Sequence, residues 1–463
     1  MAHEFDVVVI GGGPGGYAAA LYGAAAGLSV GLIEESRVGG TCLHRGCIPA
    51  KELLQTAEVV RTVAGAKDFG VDAGQPSLDL AVSQQRKNQV IDRLTKGLES
   101  VLKGRKVTVF GGTGQVADAA ARTARVSDGT ECVGTRALIL ATGSTPRSLP
   151  GFDFDGTRIL SSDHVLGIDR VPPRVAVIGG GAIGCEFASF LGDVGSDVTV
   201  LEALPQILTG VDKDAAAVVV KAFKKRGIKV VTGASVTGQE TGGDGVVVRY
   251  EAGGKQAELS VDLVVVSVGR APRSEGIGLE GSGVEVDERG FVVVDELMRT
   301  GVPGVYAVGD LVATPALAHV GFAEAIVAVK AILGETVAPV DYTKVPWGIY
   351  CHPEVAFCGL TEEQARADGM DVVASTHRFM GNGRALIIGE ADGLVKVVAR
   401  KDGPIVGVHI AGPWATELLA EGYLAVNWEA LPEEVAAFVH PHPTLSEVFG
   451  ETALSLTGRS LHG

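Results

Sequence analysis

Two stretches of this chain repeat one another at an offset of 168 residues, and no other feature restricts its fold as strongly. The first, VVVIGGGPGGYAAALYGAAAGLSVGLIEE, begins at Val7; the second, VAVIGGGAIGCEFASFLGDVGSDVTVLEA, begins at Val175. Gly11, Gly13, Gly16, Gly27 and Glu34 fall on Gly179, Gly181, Gly184, Gly195 and Glu202. Each copy reads as apolar strand, G-x-G-x-x-G, helix, apolar strand, and an acidic residue 23 positions past the first glycine. In that order the glycines have separate tasks: the first permits a tight turn, the second lets backbone approach a pyrophosphate, and the third lets helix pack on strand. The helix N-terminus then turns its free N–H groups and dipole toward the phosphates. One such motif is weak; two with matched acidic residues predict two Rossmann-like dinucleotide-binding domains in an α/β protein.

Two nucleotide folds imply two nucleotides, FAD and a nicotinamide. Glu202 selects among the nicotinamides, because a carboxylate at the end of the second strand accepts from a ribose 2′-OH and repels a 2′-phosphate. The following ALPQIL has no arginine to hold that phosphate, so NAD is expected over NADP. A further segment, TGVPGVYAVGD, ends a strand at Gly309–Asp310. Alone this is an ordinary strand-end turn. Beside two nucleotide folds, Asp310 is read as an acceptor for a flavin's ribityl hydroxyls.

The 463 residues suffice for about three domains. No run of 18 apolar residues spans a bilayer, and MAHEFDVVVIGGG lacks the basic start and cleavage site of a secretion signal. A cytoplasmic enzyme without membrane contact is expected. The net charge of −15 argues against nucleic acid and suits a basic protein partner. Between the repeats, RKNQVIDRLTKGLESVLKG sets Val90, Ile91, Leu94, Leu98, Val101 and Leu102 on one helical face. KVTVFGG, RALILATGS and DLVVVSVGR read as strands ending in glycine turns, and VPPR and GRAPR mark crossings between domains. From about 345 the texture changes, with alternating strands such as GLVKVVAR, to an α+β C-terminal domain. The expected division is 1–147 for the first part of the FAD domain, 148–270 for the NAD domain, 271–343 for a return to the FAD fold, and 344–463 for the C-terminal domain.

The segment GGTCLHRGCIPAK holds two of only six cysteines, Cys42 and Cys47. Half a metal site, two unrelated buried thiols and a redox-active disulfide all compete. Zinc fits poorly, since a structural site wants four ligands and no second such pair exists; no metal is expected. Regular helix would separate positions i and i+5 by about 7.5 Å along its axis, beyond the roughly 4.4–6.8 Å Cα separation of a disulfide. The backbone near Gly46 must therefore depart from helix if the two bridge, and Pro49 is consistent with that. A redox pair beside a flavin fits best. Cys132, Cys185, Cys351 and Cys358 are expected to be buried and inert.

Taken together, GGGPGGYAAA, GGTCLHRGCIPAK, GGGAIGCEFAS, GVYAVGDL and HPHPTLSEVF span essentially the whole length, and the chain resembles the pyridine-nucleotide disulfide oxidoreductases. Within them it is most similar to the branch that oxidises dihydrolipoyl groups. The resemblance implies a homodimer whose C-terminal domain forms the interface, and a partner that bears lipoyl groups, either the acyltransferase of a 2-oxoacid dehydrogenase complex or a lipoyl carrier protein. It implies that Cys42 exchanges with the substrate dithiol, that Cys47 contacts the flavin, and that Lys51 lies near flavin N5 with Glu186 as its partner. The repeat supports Glu186 separately, because the first copy has Ala18 at that helix position. A carboxylate where packing tolerates alanine needs a cation or water, unless it merely points to solvent. In HPHPTLSEVF, His442 is implied as the acid–base group and Glu447 as its orienting carboxylate, while His440 falls outside the match. His442 is implied to serve the cysteines of the neighbouring subunit. Thr142, Gly143, Ser144 and His319 are implied as further FAD contacts and Gly269 as an NAD contact. The sequence departs from the family's GGTCLNVGCIPSK at His44, Arg45 and Ala50. The added positive potential of Arg45 bears on a thiol pKa or on substrate choice.

Overall fold

The computed structural model describes residues 2–243 and 245–462. They form two compact units, each assembled from three separated segments.

The first unit comprises Met1–Glu52, Ala81–Arg147 and Gly269–Tyr342. Its sheet runs Thr108–Gly111, Val30–Glu34, His3–Ile10, Glu131–Leu140, Thr123–Val126, Gly114–Asp118, with Val305–Ala307 also paired to Glu131–Leu140. The strands up to Glu131–Leu140 are parallel and the last two antiparallel. Alternation within one strand builds two cores. Val7 and Val9 join the helices Pro14–Ala25 and Ala318–Leu333 on one face, whereas Val8 and Ile10 join Val116, Val126 and Ala307 on the other. Each such aliphatic side chain contributes roughly 1.5–3 kcal/mol by leaving water.

The helix expected around residues 86–104 spans Leu80–Gly104, but its buried stripe differs from the apolar face predicted. Ile91 and Leu102 are buried, together with Ser83, Lys87 and Thr95, while Leu94 and Val101 are exposed. Thr95 satisfies itself by donating to the Ile91 carbonyl. The covered stripe thus follows Ser83, Lys87, Ile91, Thr95 and Leu102, three of them polar, rather than the apolar positions alone.

The second unit comprises Leu53–Leu80, Ser148–Val268 and Thr343–Gly463. It holds a five-stranded parallel sheet in the order Lys229–Thr232, Asp197–Glu202, Arg174–Ile178, Leu263–Val266, Ile159–Leu160, followed by a three-stranded antiparallel sheet. A separate five-stranded antiparallel sheet, Trp347–Ile349, Glu354–Gly359, Ile405–Gly412, Leu394–Arg400, Val372–Arg378, carries the helices Ala415–Asn427 and Glu447–Leu456. This is the α+β region expected at the C-terminus. Leu394–Arg400 does not alternate, however: every residue but the last is buried, Lys396 included. Among the described residues, no helix is long and apolar enough to cross a membrane.

Candidate active site

The repeat in sequence is a repeat in geometry. Gly13 and Gly181 share φ −72° and ψ −174°, and the helices they begin, Pro14–Ala25 and Ala182–Asp193, have equal length. Gly11 and Gly179 lie at φ +103° and +102°, and a Cβ there would sit 2.2 Å from the Ala141 oxygen and 2.5 Å from the Ser267 oxygen. At Gly16 and Gly184 a Cβ would fall within 2 Å of the first glycine's carbonyl oxygen. The second glycine differs. A Cβ on Gly181 would meet nothing within 4 Å, and one on Gly13 only the Gly40 Cα at 3.9 Å. The first and third glycines are thus demanded by the protein's own packing, whereas the second opens onto free space. Neither helix start is capped by a side chain, which leaves N–H groups to face that space.

The two matched carboxylates are also equivalent. Glu34 accepts from Gly12 N at 2.7 Å and Ser36 N at 2.9 Å; Glu202 accepts from Gly180 N at 2.6 Å and Leu204 N at 2.8 Å. A carboxylate offers about four lone-pair sites, so each retains capacity for a ribose hydroxyl. Beyond Glu34 lies a cavity of about 490 Å³ lined by Arg37, Lys103, Lys106 and Leu102.

The cysteine segment breaks where expected. One helix covers Gly40–Arg45, Gly46 leaves helical geometry at φ −151° and ψ −110°, and a new helix begins at Cys47. Pro49 lies within the first turn of that second helix, where its missing N–H costs nothing, so Gly46 alone makes the break. Cys42 and Cys47 both carry half-buried thiols. The Cys42 thiol is pushed far above the ordinary range, first by its hydrogen bond to the Cys47 thiol, then by burial and by charge on that second sulfur. Lys51, one helical turn past Cys47, pulls it down. The reduced pair therefore favours one negative charge over two. Tyr17 faces the same pair, its phenol raised to about 12 by burial and by the two sulfurs' charge. Sequence reading missed it, although the repeat held a signal: Tyr17 is the bulky counterpart of Cys185. Of the departures from the family motif, His44 bonds the Val38 carbonyl at 2.9 Å, and the charge of Arg45 falls on Glu35, which Arg273 already holds below the usual carboxylate range.

Asp310 lies in a one-turn 3-10 helix directly after Val305–Ala307. Ser144 Oγ donates to it at 2.5 Å, and Arg270 Nε donates to that same hydroxyl at 2.7 Å. Behind the turn, the fully buried Glu324 accepts from Gly309 N at 2.6 Å and from Tyr342 OH at 3.0 Å. Thr142 Oγ1 donates to the Arg273 carbonyl, and Gly143, at φ +72°, accepts from Arg273 N. His319 is exposed at the second residue of Ala318–Leu333. Gly269 opens the return into the first unit, whereas Gly179, Gly181, Gly184 and Glu202 belong to the second.

In the second unit Glu186 is buried and accepts from Tyr350 N at 2.9 Å, so the solvent-facing alternative does not hold. His442 Nδ1 lies 2.8 Å from Glu447 Oε2, with the imidazole 78 % exposed and the carboxylate 18 %. A carboxylate accepts, so Nδ1 donates and Nε2 presents its lone pair outward. His440 is engaged elsewhere, 2.8 Å from Glu421 Oε1. Cys132, Cys185, Cys351 and Cys358 are all buried.

Residues 5–325 match the family described as pyridine nucleotide-disulphide oxidoreductase, and residues 345–453 match the dimerisation domain of that family. The dihydrolipoyl dehydrogenase of Thermus scotoductus is 43 % identical over 462 residues, covering 99 % of this chain and 98 % of its own. That of Bacillus subtilis strain 168 is 41 % identical over 475 residues, with both chains covered completely. Among solved structures, LpdA from Mycobacterium tuberculosis superimposes with a TM-score of 0.89 at 27 % identity, over 98 % of this chain and all of its own. The HOCl-induced flavoprotein disulfide reductase RclA from Escherichia coli gives 0.86 at 26 %, over 97 % and 99 %. With two family matches covering most of its length and full-length relatives above 40 % identity, the chain belongs to the pyridine nucleotide-disulphide oxidoreductase family.

Proposed function

We propose that this chain is a dihydrolipoyl dehydrogenase, which oxidises protein-bound dihydrolipoyl groups to the disulfide and reduces NAD, using a Cys42–Cys47 redox pair. The observation that carries this reading is the thiol pair itself: two half-buried sulfurs in hydrogen-bond contact across the break at Gly46, with Lys51 one turn on. The residues present fit both nucleotides. Gly13 and Gly181 leave room for pyrophosphates at uncapped helix starts, and Glu34 and Glu202 retain lone pairs for ribose hydroxyls. The cavity beyond Glu34 takes the adenosine end of FAD, Asp310 with Ser144 accepts the ribityl chain, and Thr142, Gly143 and His319 lie along it. Gly269 borders the NAD site.

Bound FAD supplies a two-electron acceptor beside Cys47, and NAD supplies the final acceptor. The protein's own share is thiol–disulfide exchange. A dihydrolipoyl thiolate attacks Cys42 Sγ of the oxidised pair, the Cys42–Cys47 bond breaks, and Cys47 leaves as thiolate. The second lipoyl sulfur then attacks the mixed disulfide, releasing Cys42 and closing the lipoyl disulfide. His442 Nε2 takes the first lipoyl thiol's proton and releases it to water. It then takes the second thiol's proton and passes it to the departing Cys42 sulfur, so that the reduced pair holds one thiol and one thiolate. Glu447 holds the imidazole in the tautomer that can accept. Lys51 offsets the negative charge left on the reduced pair, and Glu186 is its proposed partner. Two electrons thus pass from the dithiol to the cysteine pair. We assign residues 1–147 and 271–343 to the FAD fold, 148–270 to the NAD fold and 344–463 to the interface of a cytoplasmic homodimer. Its partner is a lipoyl-bearing acyltransferase or carrier protein.

Steady-state turnover of the purified holoenzyme tests the reading. NADH should form from NAD and dihydrolipoamide, and Cys42→Ser and Cys47→Ser should each lower kcat by at least about 10³-fold, since neither retains a disulfide to reduce. Absence of that activity, with NADH- or NADPH-driven reduction of a small disulfide in its place, overturns it.

A further inference from the structure

Glu447 is held at both of its oxygens. Oε2 meets His442 Nδ1 at 2.8 Å, and Oε1 accepts from Asn382 Nδ2 at 3.0 Å. The same Nδ2 donates to the Thr444 carbonyl at 2.9 Å, and Asn382 Oδ1 accepts from Ala385 N at 2.9 Å. Asn382 is 5 % exposed and comes from FMGNGRAL, 65 residues before Glu447. Its amide orientation is fixed by this set: a flip would turn the oxygen toward two acceptors and the NH₂ toward a donor.

The consequence follows from the exposure of the histidine. With 78 % of its side chain open to solvent, the His442 imidazole has little packing to hold it, and its hydrogen bond is the one to Glu447. A carboxylate bonded through one oxygen can swing about its last torsion. Bonded through both, to groups from two separate segments, it has one orientation, and so has the ring that depends on it.

We infer that Asn382 is a positioning residue for the acid–base pair: its amide clamps Glu447, which in turn fixes the tautomer and direction of His442. This rests on the proposed role of the His442–Glu447 pair. The competing account is that Asn382 only caps the short helix Gly383–Ile387 through Oδ1.

Variants separate the two. Asn382→Ser keeps a favoured capping residue but ends short of Glu447, and Asn382→Asp keeps shape and cap while replacing the donor by an acceptor. Asn382→Ala loses both functions. The holoenzymes are reduced in stopped flow by dihydrolipoamide and, separately, by NADH, and the His442 Nδ1–H resonance is followed by NMR with ¹⁵N-histidine labelling. All three variants should slow reduction by dihydrolipoamide about 10-fold or more, as expected for loss of a hydrogen bond to a charged group, and should lose or broaden that resonance. Reduction by NADH, which needs no base at the lipoyl sulfur, should stay within about two-fold of wild type. Wild-type rate and resonance in Asn382→Ser, with loss only in Asn382→Ala, would make the residue a cap and overturn the inference. Glu447→Gln is the control. A wild-type dihydrolipoamide rate in that control would show instead that the proposed pair is not the acid–base group, and the inference would fall with it.

Discussion

At position 202 one carboxylate does two things that sequence alone does not separate. It ties the second glycine loop, through Gly180 N, to the end of its strand, and on the proposed reading it also accepts from the ribose 2′-OH of NAD. Glu34 repeats the arrangement in the first copy. NAD should therefore exceed NADP in kcat/KM by at least about 100-fold, since a 2′-phosphate would meet a carboxylate with no arginine to compensate. Glu202→Ala should narrow that ratio about 10-fold while lowering kcat/KM for NAD, because the loop loses its tether along with the acceptor. Equal use of the two nucleotides by the unaltered enzyme would refute the assignment. The repeated glycine loops and their tethering carboxylates were legible because their spacing is rigid: a turn, a helix and a strand fix 23 positions between glycine and carboxylate. Asn382 was not, because its contact with Glu447 is a tertiary one that no local period encodes, whereas Tyr17 was marked by the repeat and overlooked. Arg45, adjacent in sequence to the cysteines, also lends its charge to Glu35, a partner that sequence reading did not name.

Among the elements, the strand Leu394–Arg400 departs most from its sequence pattern. Alternating GLVKVVAR predicts one wet face, yet Lys396 is 3 % exposed at its side chain. Its Nζ lies 3.0 Å from Asp212, itself 3 % exposed, 2.8 Å from Asp214 and 3.1 Å from Glu362. Burial alone would depress the ammonium, but three carboxylates outweigh it and hold the group well above the ordinary lysine range. Asp212 also caps the helix Lys213–Lys225 by accepting from Asp214 N. The network thus joins one strand and two helices through a desolvated charge. Lys396→Met should cost about 3–5 kcal/mol, because it strands Asp212 without its cation. Adding Asp212→Asn, which removes the orphaned charge and keeps a good capping residue, should restore most of that. Urea unfolding of the two variants measures both effects; a loss under about 1 kcal/mol in the single variant would mean the cluster behaves as a solvated surface pair. The same limit on periodicity appears in Leu80–Gly104, where Ser83, Lys87 and Thr95 are buried while Leu94 and Val101 stay exposed. A period reports which residues share a face, not which face is covered.

For the whole molecule, the chain leaves each of its two units and returns to it twice, and the motifs of the proposed site are distributed accordingly. Cys42, Cys47 and Lys51 belong to the first unit, while Glu186, His442 and Glu447 belong to the second. His442 lies 400 residues from Cys42, within the stretch that matches the dimerisation domain. The proposed homodimer makes each catalytic centre from two chains, because an isologous interface repeats every cross-subunit contact. Complementation tests this directly. Cys42→Ser and His442→Ala homodimers should each be nearly inactive with dihydrolipoamide. Co-folded in equal amounts, they form hybrids in which one site carries both lesions and the other carries neither. Random pairing makes about half the dimers hybrid, so about a quarter of wild-type activity should return. If His442 served the cysteines of its own chain, every site in every hybrid would carry one lesion. Activity would then stay at the level of the parent variants, and that outcome, with hybrids verified by mass, would end the shared-site proposal.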